Sequence, residues 1–388
     1  MKHSDYNVLV VTQHYLNGVG GGIFASRAFI NAFAEIFKGR VTLLCPSHKT
    51  TRPEGISPTV NIIEVEDKRP AIQKLIGVFL GVTHRYKSTF QKLIGEKFFD
   101  LIVFDNSRCS FGLIDLAHSH GSKVITIHHN YEYEYIRDNA PYLLKGASIY
   151  WTRKYESAAF GKSDLNLTLT DEDTRLLEEN YKCSRKNPLC NALGAFESEK
   201  KNLPIIKERN KQSKTTFIIT GNLSATQTIR SLNGWLKQYY PIVRKYFPEC
   251  EFLIAGKNPS KGFMEKCESI GVTLIPNPNV MESLLEKADF YICPVSLGGG
   301  LKLRIMDGLK MGLPVITHSV SARGYSIFCE KGALFAYSSC EEFEEILRSL
   351  NSKSFDKKEI QKKYAEVFSF DNGVSRLNEI LKAQHIIE

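Results

Sequence analysis

The chain reads as an α/β protein of two doubly wound, Rossmann-like domains, and three observations predict this. Short β-branched runs alternate with longer stretches of helical period from end to end, the pattern of parallel sheets covered by helices. At 388 residues the chain is too long for one ordinary core. A polar, charge-rich stretch, ESEKKNLPIIKERNKQSK (197–214), separates one set of strand candidates from a second.

In chain order the first set is NVLVVTQ (7–13), RVTLLCP (40–46), VNIIEVE (60–66), DLIVFDN (100–106), KVITIHH (123–129) and LNLTLT (165–170). The second is TFIITG (216–221), EFLIAG (251–256), VTLIPN (272–277), DFYICPV (289–295), LPVITHS (313–319) and GALFAY (332–337). The implied domains are 1–196 and 215–370, with 197–214 as linker and 371–388 as a terminal helix. Ligands of open α/β sheets bind beyond the carboxyl ends of the strands, so two such domains facing one another would hold a site in the cleft.

Composition narrows the class. With 43% hydrophobic and 24% charged residues the chain is of globular type, and no run approaches the roughly 18 apolar residues of a bilayer span. MKHSDYNVLVV runs straight into a strand without the pattern of a secretory signal, so the expected location is cytoplasmic. The nine cysteines are scattered, with no close pair at metal-ligand spacing, and read as reduced thiols. The formal net charge is +9, concentrated in 68–97, where seven basic groups face one acid, Glu96. Apolar residues at 72, 75, 76, 79 and 80 share a helical face there. Such a helix either packs on its own domain or meets an anionic membrane surface from the inner face. No nucleic-acid motif accompanies the charge, and no nucleic-acid partner is expected.

Several strand ends carry chemistry. After the first strand, Gly20, Gly21 and Gly22 precede a helix expected near Ile23, where bare backbone and a helix start suit an anion. Gly20, Gly22 and Ala25 fit a loose dinucleotide pattern, but the second strand ends in Leu44, Cys45 and Pro46 without the ribose-binding acid an NAD enzyme needs. Asp105 and Asn106 close the fourth strand, where a carboxylate could orient or deprotonate a hydroxyl. His128 and His129 close the fifth. One of the two must face away, and the other could donate to a substrate hydroxyl or phosphate. Asp171, Glu172 and Asp173 mimic a metal motif but read better as the capped first turn of a helix. Finally, DFYICPV delivers the chain to Gly298, Gly299 and Gly300, and the helix expected next carries Lys302, Arg304 and Asp307. Free amides, a cation and then a carboxylate meet the demands of a diphosphate joined to a ribose.

GGGLKLRIMDGLKMGLPVITHSVSARGY resembles the donor-binding motif of family 4 glycosyltransferases of the GT-B fold. The resemblance extends through the N-terminal glycine loop, KYESAAFGKSDLNLTLTDEDTRLLEENY, TFIITGNLS, EFLIAGKNP and the final FSFDNGVSRLNEIL. It implies transfer of a sugar from a nucleotide-sugar donor to a hydroxyl, with retention and without a bound metal, and a terminal helix crossing back to the first domain. By the same resemblance Asp307 stands for the glutamate that holds the donor ribose, one methylene shorter. Gly299 stands where the family has the glutamate that contacts the donor sugar. Asn222 replaces an arginine of the usual diphosphate-binding pair, leaving Lys302 to neutralise the phosphates, with Arg230 or Arg304 second.

The expected protein is a cytoplasmic glycosyltransferase, peripheral on the membrane through 68–97, acting on a glycan or lipid-linked acceptor in cell-surface polysaccharide synthesis. No cofactor or metal is expected, the nucleotide-sugar being a substrate. A GT-B nucleotide-sugar epimerase and a non-catalytic nucleotide-binding relative are the alternatives.

Overall fold

The computed structural model describes residues 6–18, 20–48, 52–67, 69–70, 72–73, 86–181, 189–206, 214–350 and 353–388. Two compact units emerge, Met1–Lys200 with Phe368–Glu388, and Lys201–Val367.

The first unit is built on a seven-stranded sheet of order β3-β2-β1-β4-β5-β6-β7. Its strands are β1 (Val8–Thr12), β2 (Val41–Pro46), β3 (Asn61–Val65), β4 (Leu101–Asp105), β5 (Lys123–His128), β6 (Leu165–Thr168) and β7 (Cys190–Ala192). All pairings are parallel, with Val8 against both Val41 and Leu101. The central strands are buried along their whole length (VLVVT, LIVFD), because helices cover both faces of a doubly wound sheet and leave no solvent side to alternate with. The six strands expected here all form. β7 is an addition: three half-buried residues at the sheet edge carry too little apolar pattern to announce a strand.

The second unit has a six-stranded parallel sheet of order β10-β9-β8-β11-β12-β13. Its strands are β8 (Thr216–Asn222), β9 (Glu251–Lys257), β10 (Thr273–Pro276), β11 (Phe290–Cys293), β12 (Val315–His318) and β13 (Leu334–Tyr337), matching the six expected. Phe217, Trp235, Phe252, Phe290 and Phe343 form the centre of its core. In both sheets the first strand sits in the middle and the chain winds outward to either side, so the topological switch lies at β1/β4 and at β8/β11.

The terminal helix Phe370–Ala383 packs on helix Gly21–Ile36 of the first unit. Gly373 makes this approach close, since a Cβ there would meet the Phe196 ring at 2.0 Å. The backbone amide of Glu197 donates to Phe368 O at 2.8 Å, and Lys123 Nζ to the carbonyl of Ile386 at 3.1 Å. Most of the basic segment 68–85 lies outside the described residues; helix Lys87–Glu96 buries Phe90 and turns its lysines outward. The eight cysteines among the described residues are free thiols.

Candidate active site

In the first unit the carboxyl ends of β1, β4 and β5 converge on Asp105. Thr12 Oγ1 donates to Asp105 Oδ2 at 2.7 Å, and His129 Nε2 stands 2.6 Å from Asp105 Oδ1. Burial pushes the Asp105 carboxyl up, but the facing His129, with His14 and Ser26, outweighs it and holds the group at about 2. The His129 imidazole is pulled the other way: burial lowers its pKa and Asp105 overcomes that, leaving it raised. With Nε2 committed to Asp105, Nδ1 is a buried ring nitrogen without a hydrogen-bond partner among the described residues.

His128 takes the opposite face. Its Nε2 pairs with Asn166 Oδ1 at 3.0 Å, and burial depresses its pKa to about 4, so it is a neutral core residue. The strand alternation that the sequence invokes thus turns His129 to Asp105 and His128 to Asn166 on the opposite face. Asp105 is correspondingly buried behind His129, which sets it as the partner that orients the imidazole.

Sequence reasoning misses His14. It lies two residues past the end of β1, with its ring centroid 5.6 Å from that of His129. The signal was available: a histidine just beyond a parallel strand meets the same criterion as His128 and His129. Gly22 makes room for it, since a Cβ there would stand 3.1 Å from His14 Cε1. The helix begins at Gly21, with Gly20 as a cap that has no side chain to offer. Arg27 from its second turn holds the loop by donating to Leu16 O at 2.9 Å and Gly18 O at 3.3 Å.

Ligand atoms of His14, Asp105 and His129 lie within 4.8 Å of one another, as do those of Cys45, His48 and Glu64. In the second set His48 Nε2 accepts from the Leu16 amide at 2.8 Å while Nδ1 faces Glu64 Oε1 at 3.0 Å. The acids of 171–173 do form the first turn of a helix, Asp171–Asn180, capped by Thr170. Thr170 Oγ1 accepts from the Asp173 amide at 3.0 Å, and Asp173 Oδ1 from the Tyr131 amide at 2.9 Å.

In the second unit the ends of β8 and β11 form the other constellation. Gly298, Gly299 and Gly300 are buried, with φ of 75° at Gly298 and 72° at Gly300, values that only glycine takes without strain. The following helix is short, Arg304–Lys310, so Lys302 belongs to the loop and not to a helix start as its sequence suggested. Lys302 Nζ folds back to donate to Gly299 O at 2.7 Å and Gly298 O at 3.2 Å, curling the loop around its own ammonium. Tyr325, fully buried, donates to Lys302 O at 3.1 Å and fixes the other side.

Arg304 reaches across to β8. Its guanidinium donates to Thr220 O at 3.3 Å and Thr228 Oγ1 at 3.1 Å, both neutral acceptors, and occupies the space that a side chain at Gly221 would need. Two cations therefore stand at the carboxyl edge of this sheet. Helix Thr226–Gln238 adds two residues the sequence did not single out. Gln227 Nε2 donates to Leu297 O, and Ser231 Oγ accepts from the Ser296 amide at 3.2 Å. Asn222 ends β8 and binds its own turn through Ser224; Arg230 and Asp307 are exposed.

Residues 214–352 match the glycosyl transferases group 1 family. The whole chain shares the GT-B fold, and the group 1 match lies within its second unit. Solved structures share the fold over nearly the full length at low identity. Sucrose-phosphate synthase of Thermosynechococcus elongatus superposes with a TM-score of 0.72 at 12% identity, over 97% of this chain and 98% of that one. HepE of Anabaena, solved in complex with UDP, gives 0.65 at 10%, over 97% and 100%. The lipopolysaccharide outer core galactosyltransferase WaaB gives 0.64 at 9%, over 97% and 99%. An uncharacterized 44.6 kDa protein in the cps region of Klebsiella pneumoniae is 26% identical over 115 residues. That match covers 28% of this chain and spans only 30% of the relative.

Proposed function

We propose that this glycosyltransferase moves a sugar from a nucleoside-diphosphate donor to a hydroxyl of a glycan or lipid-linked acceptor in surface-polysaccharide synthesis, with retention. The observation that carries the reading is the loop Gly298–Gly300 curled around Lys302 with Arg304 beside it, a preformed cationic cradle at the switch point of the second sheet. The leaving nucleoside diphosphate gains negative charge in the transition state. Lys302 and Arg304 neutralise it in place of a metal, and Asp307 accepts from the ribose hydroxyls.

Lys302 exchanges its two glycine carbonyls for phosphate oxygens when the donor enters. In the first unit His129, its pKa raised by Asp105, would donate from Nδ1 to the sugar or phosphate. Support for a UDP-type donor comes from the HepE complex, and support for a polysaccharide role from the cps-region relative and WaaB. The basic segment 68–97 favours an acceptor presented at an anionic membrane.

The test is thermal stabilisation of the protein by a panel of UDP-, GDP-, ADP- and CMP-linked sugars, with NAD and free nucleotides as controls. A ligand that binds only the folded state raises the melting temperature with occupancy. A shift with one nucleotide-sugar, abolished in Asp307→Ala, supports the reading; a shift with NAD alone overturns it. Consumption of the donor without any acceptor, giving an isomeric nucleotide-sugar, would mark an epimerase instead.

A further inference from the structure

The connection from β5 to β6 begins with His129 and contains a ten-residue stretch, YLLKGASIYW (142–151), of which no residue is buried. Six of its side chains are large and apolar. Tyr142 is 90% exposed, Leu143 92% and Tyr150 60%. Leaving such side chains in water forgoes on the order of 1.5–3 kcal/mol each, which a soluble surface does not ordinarily concentrate in one place.

The geometry explains why they have nothing to pack on. Helix Lys145–Lys162 has 18 residues, about 27 Å at 1.5 Å per residue, against about 20 Å for six-residue β5. Its buried residues, Thr152, Tyr155, Glu156, Ala159 and Phe160, all lie past its first seven positions. The level of Glu156 is fixed: its carboxylate accepts from the amides of Glu132 at 2.8 Å and Tyr133 at 3.3 Å, at the start of the helix that leaves the carboxyl edge of the sheet. Tyr150, six residues earlier, therefore stands about 9 Å beyond that level, and the turn Tyr142–Leu144 farther still. The stretch is a knob projecting past the edge that carries His129.

Its charge identifies what covers it. From 141 to 155 the chain contains Lys145, Arg153 and Lys154 and no acid. Lys154 lies over the Trp151 ring at 4.9 Å and so flanks the aromatic tip, while Arg153 lies over Tyr133 at 4.2 Å. Apolar tip, Tyr and Trp rings, and a rim of cations are the order of groups met on entering an anionic bilayer, from acyl chain through interface to headgroup phosphate. A second copy of the chain fits poorly. Ten residues fall short of the roughly 20–30 per side of a stable interface, and a two-fold pairing would set the lysines against themselves.

We propose that residues 142–154 form a membrane anchor that inserts Tyr142, Leu143, Tyr150 and Trp151 into an anionic bilayer and so brings the His129 edge of the first sheet to the lipid surface. This anchor is separate from the basic segment 68–97 and does not rest on the transfer reaction.

The test is sedimentation of the full chain with phosphatidylcholine vesicles, with and without phosphatidylglycerol. Binding to the anionic vesicles is expected, weakened about tenfold or more in Tyr142→Ser/Leu143→Ser and with a reduced preference for the anionic lipid in Lys145→Glu/Lys154→Glu. The exposure of these side chains keeps both variants folded, which the melting temperature checks. Trp151 is half-exposed while Trp235, the other tryptophan, is buried, so a fluorescence blue shift on vesicle addition reports insertion of the knob directly. It should vanish in Trp151→Phe. Vesicle binding that survives Tyr142→Ser/Leu143→Ser without a blue shift overturns the proposal and leaves binding to another surface. A concentration-dependent dimer abolished by the same variant overturns it in favour of self-association. Nucleotide-sugar binding measured without vesicles is expected to be unchanged in both variants, so failure of the donor reading would be seen separately.

Discussion

His129 Nε2 lies 2.6 Å from Asp105 Oδ1, and each shifts the other: the carboxyl is held at about 2 and the imidazole is raised. The pair joins the ends of β4 and β5, adjacent strands in the sheet, at its carboxyl edge.

If His129 stabilises the departing diphosphate or the sugar, His129→Ala lowers turnover about a hundredfold, the usual loss for one preorganised donor. Asp105→Asn acts through His129. Without the carboxylate, burial alone acts on the imidazole and depresses its pKa, so the alkaline limb of the pH–rate profile moves to lower pH. Asp105→Asn with an unmoved profile would show that His129 does not act charged. For stability the signs oppose: the depressed Asp105 contributes above the ordinary carboxylate range and loses that contribution as pH falls toward about 2, whereas the raised His129 contributes at low pH and loses it as pH rises through its folded value.

Lys302→Ala removes the ammonium from between Gly298 O and Gly299 O. The expected cost to folding is about 1 kcal/mol, the net worth of a partly buried hydrogen bond. The expected loss of turnover is far greater if, as proposed, the same charge meets the diphosphate. A fall in melting temperature that matches the loss of activity would assign Lys302 a purely structural role.

Gly298→Ala and Gly300→Ala each force a side chain into φ near +70° and should destabilise by about 1–2 kcal/mol. Gly95→Ala is the control. A Cβ at Gly95, inside helix Lys87–Glu96, meets nothing within 4 Å, so urea unfolding should place this variant no lower than the parent.

Glu156 offers a test by pH. Burial, then the neighbouring Glu132, pushes its carboxyl up to about 8 from an ordinary 4.5, so the folded state keeps a proton that the unfolded chain releases. Stability from this group is full below 4.5 and is lost as pH rises through about 8. Glu156→Gln, uncharged and of the same shape, should flatten urea-unfolding stability across that window by a few kcal/mol. An unchanged slope would place the titration elsewhere.

Much of this was legible in the sequence because parallel strands buried on both faces are written as unbroken apolar runs; the twelve longest announced themselves. β7 did not, since CNA at an edge needs no such run. Site residues at strand ends were legible by position, and Asp105, His129 and the Gly298–Gly300 loop stand there. His14 and Gln227 were missed because their roles depend on neighbours distant in sequence, the His129 ring and the Leu297 carbonyl.

The amino-acid sequence by itself determined the two sheets, their winding and the glycine loop with its lysine, because hydrophobic period and glycine placement are local properties. Tertiary structure alone decided which of His128 and His129 faces the ligand edge, that Asp105 is a buried partner of the imidazole, and that Lys302 precedes its helix. It also decided that 142–151 projects beyond the core. These follow from strand register and helix length relative to the sheet, which fix direction and reach only after the chain has packed.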